Sequence, residues 1–344
     1  MKQLKIIALS LMTFAATNAL AARQVVVYNW SEYIPESVQE KFTKETGIEL
    51  VYSTYESNEV MYSKLQLQKN SGYDVIVPSA YYVAKMAKEK MLLPIDKTKL
   101  SHFKQLNPSL LNKEFDPNNQ FSVPYLWGST GIGVNSNEID PASVTSWKQL
   151  FDKKYAKQLL LTDDLREVFH IGLVLNGHSP NSTNPDEIKQ AYELLKTLMP
   201  NVLTFNSDAP REPFLAGDVN LGMIWSGEAV MAQEEDEAIQ YIYPSEGAIF
   251  WADNFAIPAG AQNVEEALIF IDFMLRADNA AACVEEIGYA TASKAALELI
   301  DEDTRNNPAI FPSEETINAG YFQNDVGEAL ETYNKYWELL KVGN

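Results

Sequence analysis

Aromatic residues and carboxylates alternate at a small set of positions in this chain, and almost no cations accompany them. Trp30, Ser31, Glu32 and Tyr33 are consecutive, and Ser79 precedes Tyr81 by two. Asp164 precedes Glu167 by three, Trp225 closes the run 221–225, and Trp251 stands two before Asp253 in Ile249-Phe250-Trp251-Ala252-Asp253. Read as a strand, this last run places Ile249, Trp251 and Asp253 on one face. A carboxylate in so apolar a segment is costly to bury unless something cationic or hydrogen-bonding meets it. Arg166 is the only basic residue inside these clusters, so either a Lys or Arg from elsewhere meets Asp253 or a ligand does. Indoles, phenols and carboxylates together suit an organic cation with methylene stretches. Carboxylates pair with ammonium groups, and aromatic faces hold both cations and CH2 groups.

Each piece also has a local explanation. Asp164-Leu165-Arg166-Glu167 spells a capping box, with each acid able to satisfy a backbone N–H. The two acids still share one side of the first helical turn, so both can face a cleft. Trp30 and Trp225 can be core aromatics, and Tyr289 can close a helix end. The convergence of these residues on strand ends is the stronger signal, because open α/β sheets bind ligands there.

Motifs for catalysis are sparse. His102, His170 and His178 lack H-E-x-x-H spacing and no Cys/His cluster exists, so no metal and no cofactor is expected. There is no G-x-S-x-G elbow, and Gly128, Gly131 and Gly133 have the wrong spacing for a dinucleotide loop. Acids beside tryptophans leave one enzymatic alternative, a secreted glycosidase with aromatic platforms for sugar rings. The scatter of the acids over several strand ends favours cation ligation over an acid/base pair.

The elements that must position these residues alternate. Residues 24–28 read as a strand, Pro35 fits a first helical turn, Val38 and Phe42 share a helical face, and Gly47 fits the helix stop. Strand 48–52 follows, then strand 74–77 and helix 81–90. The second half repeats this alternation, with strand 159–161, a helix from Asp164, helix 187–198, strand 221–225, helix 228–233, helix 265–275 and a last helix 326–341. Such a βα order predicts mostly parallel sheets covered on both faces.

The first residues carry Lys2 and Lys5, an apolar core from 6 to 16 and Ala19-Leu20-Ala21, the pattern of a cleaved secretory signal rather than a membrane span. The single cysteine, Cys283, allows no internal disulfide and reads as a small buried helix residue. Net charge is −20, or −22 without Lys2 and Lys5, which repels nucleic acid and anionic lipid and is compatible with a cationic small ligand. A hydrophobic content of 46% excludes wholesale disorder.

The segments YNWSEYIPESVQEKFTKETGI, STYESNEVMYSKL, YDVIVPSAYYV, PYLWGSTGIGVN, LLLTDDLREVF, LGMIWSGEA, IFWADNFAIP and FQNDVGEA together resemble the periplasmic spermidine/putrescine-binding proteins of polyamine ABC importers. The resemblance spans essentially the whole mature chain. It implies an α/β, two-lobed Venus-flytrap fold of the type II periplasmic binding class, each lobe a mostly parallel sheet flanked by helices, with ligand in the cleft between. Residues 1–22 would be the signal peptide, 23–132 with about 255–315 one lobe, and 133–254 with about 316–344 the other. By motif position, the resemblance implies carboxylate anchors at Asp164, Glu167 and Asp253, with Glu32 as a further acid. It implies an aromatic box of Trp30, Tyr33, Tyr81, Trp225, Trp251 and Tyr289, and polar contacts from Ser31, Ser79, Ser207 and Gln323. It further implies a monomeric periplasmic receptor that hands spermidine or putrescine to inner-membrane permease subunits, with no catalytic residue. A periplasmic polyamine sensor acting through a membrane receptor would have the same site.

Overall fold

The computed structural model describes residues 23–68 and 72–342. The expected signal segment 1–22 lies outside them. Among the described residues eleven strands form one curled, mixed sheet. In chain order they are β1 (Gln24–Trp30), β2 (Glu49–Tyr55), β3 (Val75–Ile76), β4 (Ser122–Asn135), β5 (Leu159–Leu161) and β6 (Val202–Phe205). β7 (Leu221–Trp225), β8 (Ile239–Ile242), β9 (Ile249–Ala256), β10 (Ala290–Thr291) and β11 (Tyr321–Phe322) follow. The main order is β2-β1-β3-β9-β4-β7-β5-β6.

The expected parallel pairing holds in the two flanks. β1 pairs β2 and β3 in parallel, and β5 pairs β6 and β7 in parallel. The centre is antiparallel: β4 runs against β7, β8 and β9, and β9 runs against β3. Long apolar runs gave no signal for that direction, because pairing sense depends on how the chain returns between strands rather than on side-chain periodicity.

The helices follow local rules. Helix Glu36–Thr46 buries Val38 and Phe42 and stops at Gly47, whose φ of 67° is left-handed. Phe42 meets Phe270 and Phe273 of helix Val264–Met274 edge-on, each at 5.2 Å between ring centroids. Cys283 lies buried in helix Ala277–Ile287, as its Ala-rich surroundings suggest.

The two flanks point at one another. Trp225, at the end of β7, is level with Thr130 of β4, which is level with Ile249 at the start of β9. From the other side, β3 meets β9 at Ile76 and Ala256, and the chain beyond β3 bridges Ser79 to Asp253. The carboxyl ends of β3 and β7 therefore converge on the Trp251–Asp253 stretch of β9. Gly128 of β4 sits directly opposite Trp251. A Cβ there would lie 2.7 Å from the indole Cη2 and 2.8 Å from Cζ2, so only glycine lets the ring lie flat across the strand.

Gly128→Ala is therefore expected to displace the Trp251 ring and destabilise the fold by about 1–3 kcal/mol, the usual cost of overpacking. Urea unfolding with tryptophan fluorescence reads both effects. Unchanged stability with an unchanged Trp251 environment would contradict this packing.

Candidate functional site

Between the converging strand ends lies a cavity with about 500 Å³ of empty space. β1 delivers Trp30, and the turn after it Ser31 and Tyr33. Ser79 comes from the segment after β3, and Trp225 from the last position of β7. Asp164 caps helix Leu165–Leu175, with Glu167 in its first turn. Trp251 and Asp253 project from β9, and Tyr289 and Gln323 complete the wall. Five carboxylates line the cavity: Asp164, Glu167, Asp208, Glu228 and Asp253. Among the described residues, no Lys or Arg lines it.

Asp253 is 3% exposed, and among the described residues no Lys or Arg forms an ion pair with it. Tyr33 Oη donates to one carboxylate oxygen at 2.7 Å and Ser79 Oγ to the other at 2.6 Å. Both hydroxyls are themselves fixed. Asn58 Nδ2 donates to Ser79 Oγ at 3.0 Å, while the Asn58 Oδ1 accepts from the Ser79 backbone N–H. Tyr33 packs edge-on to Tyr125 and Tyr289. Burial pushes the Asp253 carboxyl up to about 7; the Ser79 and Tyr33 hydrogen bonds oppose this, and the Asp164 charge adds to it.

Glu167 has a parallel arrangement. Thr130 Oγ1 donates to it at 2.5 Å, and Trp225 Nε1 reaches both of its oxygens at 3.1 Å. Trp251 Nε1 in turn donates to Thr130 Oγ1 at 3.2 Å, so two indoles orient one carboxylate. The capping box is thus only half made. Asp164 Oδ1 accepts from the Arg166 and Glu167 backbone N–H groups at 2.8 and 3.0 Å, but Glu167 turns into the cavity instead of back to the cap. Burial raises the affinity of both acids for protons, and for Glu167 the neighbouring Asp164 charge raises it further. Trp30 faces Trp225 at 6.2 Å between ring centroids, 77° from parallel, and Trp251 meets Tyr289 at 5.3 Å.

Three residues singled out from the sequence lie elsewhere. Tyr81 stands behind the wall, its hydroxyl accepting from Asn58 Nδ2 at 3.1 Å and its ring 5.5 Å from the Arg166 guanidinium. Ser207 Oγ accepts from the Asp163 backbone N–H at 2.8 Å. Glu32 pairs with Arg211 at the rim. Arg166 itself is buried and turned away, toward the Asn324 carbonyl and Asn181 Oδ1. Conversely, Asn58, Asp208 and Glu228 line the cavity without having been named from the sequence. Asn58 reads as the residue after a Ser57 cap, which hides its role. Glu228 had a legible signal: it is the third residue beyond the strand-ending Trp225.

Comparison with known proteins agrees with this architecture. The profile of a family described as bacterial extracellular solute-binding protein matches residues 38–312. The spermidine/putrescine-binding periplasmic protein of Escherichia coli (strain K12) is 53% identical over 329 residues, covering 96% of this chain and 94% of that protein. A putrescine-binding periplasmic protein of Pseudomonas aeruginosa (strain UCBPP-PA14) is 35% identical, covering 98% of each chain. A solved spermidine/putrescine ABC transporter substrate-binding protein from Streptococcus pneumoniae aligns with a TM-score of 0.76 at 34% identity, over 93% of this chain and 99% of its own.

The raised carboxyls make stability depend on pH. A buried acid whose pKa is higher folded than unfolded binds more protons in the native state. Its stabilising contribution is complete below the ordinary value of 3.8 for Asp253 and is lost as pH rises through about 7. His170, pulled down to about 4 by burial, acts in the opposite sense below 6.5. It does so equally in both proteins of the comparison that isolates Asp253. Melting temperatures of ligand-free wild type and Asp253→Asn should therefore diverge between about pH 4 and pH 7, the wild type losing more as pH rises. Parallel pH profiles would contradict the raised carboxyl.

Proposed function

This chain belongs to the bacterial extracellular solute-binding proteins, and we propose that it captures polyamines, spermidine or putrescine, for delivery to an ABC importer. One observation carries the ligand class: five carboxylates and three tryptophans line a single cavity that no Lys or Arg lines among the described residues. An alkylammonium chain supplies what that lining lacks. Its ammonium groups neutralise Asp253 and the Asp164–Glu167 pair, and its methylenes lie against Trp30, Trp225 and Trp251. Cation–π attraction adds roughly 0.5–2 kcal/mol for each well-placed contact. Capture breaks no covalent bond, so the residues bind and orient without catalysing.

The two flanks are proposed as two lobes, with 23–132 and about 255–315 in one and 133–254 and about 316–344 in the other. The packing of helix Leu330–Val342 on helices Leu165–Leu175 and Pro185–Leu195 supports the second grouping. Ligand touching both lobes stabilises the closed arrangement over any open one, which is the differential affinity a receptor needs. Relatives named as periplasmic proteins support a periplasmic location and, with it, a cleaved segment 1–22, and the relative named as an ABC transporter substrate-binding protein supports permease subunits as the partner of a receptor proposed to act as a monomer. Loss of radiolabelled spermidine uptake on gene deletion separates import from a purely sensory role.

Calorimetric titration of purified mature protein with spermidine, putrescine and a sugar panel tests the reading. Asp253→Asn keeps the size of the side chain and removes its charge. It is expected to weaken polyamine binding by ~2–5 kcal/mol, as for truncating one half of a buried charge pair, which is about 30-fold or more. If Asp253 serves only the fold, the variant melts earlier without ligand and binds within about threefold of wild type. That second outcome would sink its assignment as an ammonium anchor.

A further inference from the structure

One basic side chain does reach the cavity wall, from behind. Arg211 precedes the short helix Glu212–Leu215, and its side chain is only 12% exposed. Its Nη1 donates to Glu228 Oε2 at 3.0 Å and Oε1 at 3.2 Å, and to Glu32 Oε2. Glu228 lines the cavity with 5% of its side chain exposed, whereas Glu32 stands at the rim with 49% exposed. Beyond Arg211 an outer groove with about 940 Å³ of empty space begins, lined by the further acids Glu36 and Glu286. Arg211 therefore stands between the cavity and an acidic groove, and it engages two carboxylates that would otherwise face a cation.

The opposite end offers no substitute. There Asp253 and Gln323 also border a second groove, whose walls are largely apolar, including Phe115, Trp127 and Phe322. Apart from Asp253, its charged residue is Lys113. An ammonium extending that way gains no new counter-ion and loses its water.

Resting on the polyamine reading, we infer that Arg211 sets ligand length: it penalises cations long enough to place an ammonium at the Glu32–Glu228 end. The guanidinium offsets part of the charge of the two acids and puts a like charge beside the place where the additional ammonium would sit. Like charges brought together in a partly buried site oppose binding strongly. A short diamine held by the Asp253 and Asp164–Glu167 carboxylates does not reach that end and does not meet the penalty. Without Arg211, Glu32 and Glu228 become a further carboxylate pair opening onto the acidic groove, and longer polyamines gain an anchor.

The test is calorimetric titration of putrescine, spermidine and spermine into wild type, Arg211→Ala and Arg211→Ala/Glu228→Gln, with a ligand-free melting curve for each. Arg211→Ala should raise affinity for spermidine and spermine relative to putrescine by about tenfold or more. The double variant should lose most of that gain, because the freed carboxylate is what the longer ligand uses. Arg211→Met keeps the packing of the side-chain stem and removes the charge. It should show the same shift, and it serves if the alanine variant does not fold. Equal changes in all three affinities, or a loss confined to the long ligands, would overturn the inference while leaving the polyamine reading intact. Failure of wild type to bind any of the three would overturn both.

Discussion

Asp253 is a carboxylate sealed from water and held by two hydroxyls instead of a cation. Neutral donors orient a buried charge and offset part of its desolvation, but they do not neutralise it. Glu167 repeats the arrangement with the Thr130 hydroxyl and the Trp225 indole, and Asp164 with two backbone amides. The protein thus concentrates negative charge where its own cations are turned away or held behind the wall: Arg166 toward Asn181, Lys341 onto the outward-facing Asp163, Arg211 behind Glu228. Breaking a buried pair by removing one partner is strongly destabilising. A pocket that omits the partner from the outset stores that cost and releases it when a cation arrives.

The sheet topology makes this possible. In each parallel flank the strand ends carry polar and aromatic side chains, since that is where the backbone leaves the sheet. Turning the flanks to face each other through β4 and β9 puts both sets on one small volume. β9 carries both Trp251 and Asp253, so an apolar wall and an anchor charge arrive together. Across the rim, Ser31 donates to Asp208 and Glu32 pairs with Arg211, so contacts between protein groups already join the two sides. Glu32 adopts φ of 48°, a left-handed conformation uncommon outside glycine. That conformation occurs in the turn that reaches across to Arg211.

Much of this was legible from the residues. The 249–253 alternation correctly placed Trp251 and Asp253 on one face, Gly47 marked a helix stop, and the rule of strand ends together with the family resemblance named eleven residues that line one cavity. What escaped had physical causes. Asp164 and Glu167 satisfied a capping pattern, and sequence cannot say whether the second acid bends back to the backbone or outward; Thr130 and Trp225, remote in the chain, decide it. Tyr81, Ser207 and Glu32 lie near the site in sequence motifs yet are taken up by Asn58, Asp163 and Arg211. Arg211 itself sits in a loop with no periodicity, and its role depends on two acids from different segments. The antiparallel centre escaped because side-chain pattern does not encode strand direction.

The central claim is that buried, partly protonated carboxylates are neutralised by an organic cation. Its most direct measurement is calorimetric titration of spermidine or putrescine near pH 7 in buffers of differing ionisation enthalpy. An incoming ammonium favours the ionised form of Asp253, whose carboxyl is raised to about 7, and of its buried neighbours. Net proton release on binding is expected, with the observed heat shifting with the buffer. Binding with the same heat in every buffer, and so with no proton exchanged, would contradict it.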